Sequence, residues 1–379
     1  MGGRDDRPAP TELAPVFDVY EIRSDGESLL YVGQPRADTD TVQRELEPVF
    51  AERGYDVRLQ WGYDDDGGLP LTAGESVLVA EPRTAGDGGF PWRNALLFVL
   101  TVVSTLFAGS VYWYQIPITE QPLRALEAWP FVVAIMGVLG IHELGHYAMS
   151  RYHGVDASLP YFIPLPTYIG SMGAVIRMRG RIPDRTALFD IGVAGPLAGL
   201  VATVVVTVIG LQLDPLPAQE AAAAASDAAR VEFNDPPLLV LLAELTGTAG
   251  KLERGLVHPV VFGGWVGMLV TLLNLLPVGQ LDGGHILRAM VGERQETLAA
   301  AVPGALFALA GYLFFVRGSV NSVGIWAMWG LFAVGLAYAG PASPIRDDTL
   351  DRRRVVVGVL TFVLGALCFT PVPVEVIPP

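Results

Sequence analysis

Over residues 16–83 the hydrophobic positions come in short bursts with polar residues between them. Residues 16–22 and 28–32 flank the turn Ser24-Asp25-Gly26, the pattern of a β-hairpin. Residues 41–52 place Val42, Leu46, Val49 and Phe50 at helical spacing, with Gly54 as a stop. Two more strands are expected at 55–63 and 75–80, separated by the acidic turn Asp64-Asp65-Asp66-Gly67-Gly68. The pattern predicts a small soluble α+β domain over residues 1–90. A linker at 84–92, opening Thr84-Ala85-Gly86-Asp87-Gly88-Gly89, closes it. Nothing in this part resembles a reactive constellation, so a regulatory or docking role suits it.

From Trp92 onward the rhythm changes to long apolar runs. Candidate spans are 94–114, 129–150, 187–210, 258–277, 297–316, 322–340 and 355–372. Each is close to the roughly 20 residues that a helix needs to cross a bilayer. The expected fold is therefore a membrane all-α bundle of about seven spans over 91–379, carrying the small N-terminal domain. Cytoplasmic loops are enriched in basic residues. With the N-terminus inside, Arg93, Arg151, Arg177, Arg179, Arg181, Arg185, Arg288, Arg294, Arg346, Arg352, Arg353 and Arg354 are cytoplasmic, and Arg124, Arg230, Lys251, Arg254 and Arg317 lie outside. That excess points to an integral membrane protein with its N-terminus in the cytoplasm and its C-terminus outside. The loop 211–257 holds an alanine run, 221–225, and an apolar segment, Pro237–Leu245, which is too short to span and reads as an interfacial helix.

Composition sharpens this picture. The chain has 379 residues, 51% of them hydrophobic and 17% charged, and a mean hydropathy of +0.42, beyond the usual range of a soluble domain. Of its net charge of −14, residues 1–90 carry −11, from 19 acidic residues against 8 arginines. Phosphate contacts need a basic face, so nucleic acid is excluded as a partner. Lys251 is the single lysine, and the arginine bias beside dense carboxylate resembles a salt-adapted composition. One cysteine, Cys368, excludes an intramolecular disulfide and a cysteine-ligated metal cluster. The first fifteen residues are polar, and no cleavable signal peptide is expected.

The candidate chemistry lies at the inner end of the second span, in His142-Glu143-Leu144-Gly145-His146. On a helix, residues i and i+4 share a face, so both imidazoles can reach one Zn²⁺ while Glu143 stands beside them to accept a proton from water. Ionisable groups inside apolar helices are costly unless they function. A hydrolytic zinc keeps three protein ligands and one open position. The third ligand is expected to be Asp282, in Asn274-Leu275-Leu276-Pro277-Val278-Gly279-Gln280-Leu281-Asp282-Gly283-Gly284, at the inner end of the fourth span. Pro277 and Gly279 would break the helix, and Gly283-Gly284 would let the backbone approach the metal. Asp282 could instead be a helix N-cap. Asp190 and Asp156 are weaker ligand candidates.

HELGH followed far downstream by NLLPVGQLDGG resembles the site-2 protease family of intramembrane zinc metalloproteases, whose pattern is HExxH plus a distal NxxPxxxxDG. Further segments agree: Phe162-Ile163-Pro164, Gly170 to Ile176, Pro183-Asp184-Arg185, DIGVAGPLAG from Asp190, and His258-Pro259. They are similar to the branch that includes the chloroplast EGY-type proteins and their prokaryotic relatives. The resemblance is specific over about 130–295 and implies a three-helix catalytic core. It implies that His142, His146 and Asp282 ligate zinc, that Glu143 is the catalytic base, and that Asn274 donates to an oxyanion or to substrate backbone. An interhelical hydrogen bond would serve Asn274 equally well. It also implies that the partners are the lipid bilayer and transmembrane-helix protein substrates, cut near the cytoplasmic face. No PDZ-like insertion is evident, a departure from several relatives.

Other residues carry weaker expectations. The alternating segment 171–181 reads as a strand at the membrane edge, able either to pair with an unwound substrate or to plug the site. Gly192, Gly195 and Gly199 form a small-residue face suited to helix packing. His285 could support Asp282, His258 lies on the far side, and His153 is expected in solvent. Two rivals stand beside the site-2 protease reading: an integral-membrane zincin of the HtpX or CAAX-protease type, and a non-catalytic chaperone-like membrane protein that keeps the fold.

Overall fold

The computed structural model describes residues 7–25, 28–61, 75–82, 90–178, 182–217, 219, 230–318, 320–339, 344 and 349–377. Gly26 of the first turn, the acidic turn 64–68, the linker 84–89, Arg179, Arg181, the alanine run 221–225 and Arg346 lie outside the described residues. The chain divides into two compact units, Met1–Pro91 and Trp92–Pro379.

The first unit contains the short helix α1 (Pro10–Leu13), strands β1 (Phe17–Asp25) and β2 (Ser28–Pro35), helix α2 (Thr39–Ala51), and strands β3 (Tyr55–Trp61) and β4 (Ser76–Pro82). The strands form one antiparallel sheet in the order β1-β2-β4-β3. Helix α2 starts where Asp38 accepts from the Thr41 amide at 3.0 Å. Its apolar stripe, Val42, Leu46 and Phe50, is buried against Leu29, Tyr31, Leu78 and Ala80 of the sheet.

The second unit is mostly helical: α3 (Trp92–Ala108), α4 (Trp129–Tyr152), α5 (Arg185–Gln212), α6 (Pro237–Leu245), α7 (Ala249–Glu253), α8 (Val260–Asn274), α9 (Asp282–Val291), α10 (Arg294–Tyr312), α11 (Val320–Ala339) and α12 (Arg352–Ala366). Two small antiparallel sheets accompany them: the hairpin of β5 (Tyr161–Pro164) with β6 (Ser171–Val175), and the long-range pair of β7 (Arg230–Phe233) with β8 (Val374–Ile377). Among the described residues, four helical stretches are long and apolar enough to cross a membrane: Trp92–Trp113, Pro122–Tyr152, Arg185–Gln212 and Arg294–Arg317.

Two of the expected spans are shorter than their apolar runs. The run 258–277 is helical only as α8, because Pro277 and the left-handed Gly279, at φ 54°, turn the chain. The run 355–372 stops as a helix at Ala366, and the chain then passes Pro371 and Pro373 into β8. The expected strand 171–181 likewise closes at Val175, with one isolated bridge from Met178 to Ala157 beyond it.

Helices α4, α5 and α8 pack on one another to form the core. Close approach is set by small residues: a Cβ at Gly264 would collide with Thr207, and one at Gly267 with Thr203, so α8 lies backbone-close to α5. At one end this core is closed by stacked rings, Trp113 on Phe262 at 4.0 Å and Phe262 beside Trp265 at 5.4 Å.

Candidate metal centre

Helix α4 runs unbroken through its HExxH stretch, so His142 and His146 lie one turn apart on the same buried face. Glu143, also buried, follows His142 and borders the same cleft. The partner stretch is 140 residues away. After α8 ends at Asn274, the turn 275–281 redirects the chain and α9 begins at Asp282. Leu281 holds the N-cap position, and no side chain caps that end. The Asp282 carboxylate is therefore not spent as a helix cap but faces the two histidines. Gly283 and Gly284 serve a different purpose from close approach to a metal. A Cβ at either would strike the carbonyls of the turn 275–279, so the glycines let α9 fold back on the turn that precedes it.

Three donor atoms converge. His142 Nε2 and His146 Nε2 are each 3.2 Å from Asp282 Oδ2, and 3.2 Å from each other. A tetrahedral zinc with bonds of about 2.0–2.1 Å sets its ligand atoms about 3.3 Å apart, so the triangle fits that ion. Its chemistry fits as well. The Ile191 carbonyl accepts from His146 Nδ1 at 2.8 Å, which places that ring's hydrogen on Nδ1 and leaves a lone pair on Nε2. Lone pairs and a carboxylate oxygen in contact repel one another unless a cation lies between them.

Asn274 enters the same cluster, with its amide nitrogen 3.1 Å from His142 Nε2. His285 is buried one turn after Asp282, and its ring lines the cleft. The cleft, about 200 Å³, is bordered across from α4 by Ala174, Val175, Ile176 and Met178, which belong to β6 and the residues after it. The glycine face of α5 has a more specific use than helix packing. A Cβ at Gly195 would fall on the His146 ring, and one at Gly199 would lie 2.8 Å from His142 Nδ1. Only a helix without side chains at these positions can press against both imidazoles.

Three expectations need correction. Asp190 is not a metal ligand: its carboxylate is taken by Arg354, at 2.7 and 2.9 Å, and by His153 at 3.0 Å. His153 is accordingly bonded and mostly buried, not solvated, because α4 ends beside the start of α5. Asp156 sits in an exposed contact with Arg151 at 3.7 Å, away from the cluster. His258 lies outside the site and accepts from the Val260 amide. Sequence reasoning missed the Ile191 carbonyl, since a backbone group carries no residue signal. It missed Arg354 because nothing local marks it.

A family model, peptidase family M50, matches residues 130–316, which contain every residue of the cluster. The chain belongs to peptidase family M50. The M50 chain is 30% identical to a probable chloroplast zinc metalloprotease, EGY1, of Arabidopsis thaliana, over 92% of this chain and 66% of that protein. It is 29% identical to the protein of the same name from Oryza sativa subsp. japonica, over 89% of this chain and 62% of the relative. A probable zinc metallopeptidase, EGY3, of Arabidopsis thaliana is 26% identical over 93% of this chain and 63% of its own length. The M50 chain thus spans just under two thirds of the length of these curated relatives. No solved structure matches it.

Proposed function

We propose that the chain is an intramembrane zinc metalloendopeptidase that cuts transmembrane segments of other membrane proteins near the cytoplasmic face. The observation that carries this reading is that Glu143 shares one cleft with three convergent donors, in the C-terminal half of a helix long and apolar enough to span a membrane. The relatives' names, probable zinc metalloproteases, support the metal and the reaction class.

His142, His146 and Asp282 would hold the zinc. When bound, zinc supplies a Lewis acid that acidifies water and polarises the scissile carbonyl. Glu143 accepts the proton of the attacking water and delivers it to the leaving amine. The Ile191 carbonyl keeps His146 in the ligating tautomer. With His142 Nε2 committed to the ion, the Asn274 amide is free to donate to the carbonyl oxygen of the peptide under attack.

A transmembrane substrate hides its peptide bonds in its own helix, so cleavage requires local unwinding. β6 pairs with β5 on one side, and its other edge carries no named strand among the described residues. Its residues Ala174 and Val175 border the cleft, so an extended substrate adding to that edge would lie beside Glu143. The arginine distribution supports an N-terminus in the cytoplasm and a cleft that takes water from that side.

Quantitative proteomics of membrane-protein fragments in cells carrying wild type or Glu143→Gln tests the proposal. Wild type should generate fragments ending within or next to a transmembrane segment, and Glu143→Gln should not. Identical fragment sets would defeat it.

A further inference from the structure

The strongest polar convergence outside the metal cluster lies at the start of α5. Arg354 grips Asp190 as a fork, with Nε donating to Oδ1 at 2.7 Å and the terminal nitrogen to Oδ2 at 2.9 Å. His153, just past the end of α4, places Nε2 3.0 Å from the same Oδ2. Arg354 is itself held by Asp351 at 2.5 Å, and Asp351 also caps α12 through the Arg353 and Arg354 amides at 2.9 and 3.1 Å. Asp190 therefore ties together α4, α5 and α12. Helix α5 does not need it as a cap, since Asp184 already accepts from the Ala187 amide at 2.8 Å.

The position of this clamp is informative. Pro196 has no N–H to give the Gly192 carbonyl, and its ring crowds that carbonyl, so the ladder of α5 is weakest in the turn that follows Asp190. That same turn touches a metal-binding side chain twice. The Ile191 carbonyl bonds His146 Nδ1, and the Gly195 backbone lies against the ring. If the turn drifts, the imidazole can move its hydrogen to Nε2, and the lone pair on the cluster side is lost.

We propose that Asp190, gripped by Arg354 and His153, is a positioning residue of the metal centre that fixes the Ile191 turn and so keeps His146 Nε2 directed at the metal. The inference rests on the zinc reading above. It extends the functional unit to α12, which lies beyond the residues matched by the family model.

The test uses full-length, detergent-solubilised protein and two readouts: zinc affinity by titration against a competing chelator, and the melting temperature of the zinc-free chain. Loss of support to a metal ligand typically weakens affinity about 10–100-fold, and that is the loss expected for Arg354→Ala and Asp190→Asn. Arg354→Lys keeps the charge but loses the fork, and should fall between them and wild type. A merely structural clamp would lower the melting temperature and leave zinc affinity unchanged. Asp190→Asn nearly preserves shape and so remains informative if Arg354→Ala does not fold. Wild-type zinc affinity in folded Asp190→Asn overturns the positioning role. A wild-type chain that binds no zinc overturns the metal reading itself.

Discussion

Gly195→Ala adds one methyl group where the structure leaves no room for it. The new carbon would fall on the His146 ring, 2.5 Å from Cε1 and closer still to Cδ2 and Nε2. Ordinary carbon–carbon contact is about 3.5–4.0 Å, so ring or helix must give way by about 1 Å. The ring has little slack, because Nδ1 bonds Ile191 at 2.8 Å and Nε2 sits in the donor triangle. Misplacement by about 1 Å at a reacting centre costs roughly 100-fold in rate, and disturbed ligand support costs about 10–100-fold in metal affinity. Against this, alanine for glycine in a helix interior gains only about 1 kcal/mol, roughly fivefold in an equilibrium constant. The clash wins. Zinc affinity, measured by chelator competition, should fall at least tenfold in Gly195→Ala. Gly137→Ala on α4, where an added Cβ meets nothing within 4 Å, should keep wild-type affinity. Wild-type affinity in Gly195→Ala would refute the argument that α5 bears directly on the metal ligands.

Sidedness can be read by thiol labelling in a Cys368→Ser background. Single cysteines at the exposed positions Tyr152 and Glu293 should react with an impermeant reagent only after the membrane is opened, whereas one at exposed Asp214 should react in intact cells. Labelling of Tyr152→Cys from outside would invert the topology. The net charge of −11 over residues 1–90 repels itself, and salt screens that repulsion over a Debye length of about 3 Å at 1 M. Amide protection of β2 and β4 in the full chain should therefore be greater in molar potassium chloride than in dilute buffer. Protection that does not increase would defeat the salt-adaptation reading. Purified Glu143→Gln should retain zinc while losing proteolysis, because the amide keeps the shape but cannot accept a proton; loss of zinc would assign Glu143 a role in holding the metal.

The parts of this molecule that were legible in its sequence are those where residue type alone fixes the chemistry. Helical spacing placed His142 and His146 on one face, and the break at Pro277 and Gly279 placed Asp282 after a turn. Alternation and helical spacing outlined β1, β2 and α2. What stayed hidden depends on tertiary contact. Apolar runs do not say where a helix stops, so α8 and α12 proved shorter than their runs. Glycines spaced along α5 were legible as a packing face, but the histidines they pack against were not. The pairing of Asp190 with Arg354 spans 164 residues and has no local signature. Asp190 therefore looked like a spare ligand or cap until its partners were placed.

Zinc absorption-edge spectroscopy on the purified chain tests whether His142, His146 and Asp282 form a zinc centre. One zinc per chain is expected, with two imidazole nitrogens and carboxylate oxygen at about 2.0–2.1 Å. Asp282→Ala should lose most of the metal, since two histidines alone are an incomplete site. Full occupancy in Asp282→Ala with an unchanged ligand shell, or a wild-type chain that takes up no zinc, would mean that these three residues do not form a zinc centre.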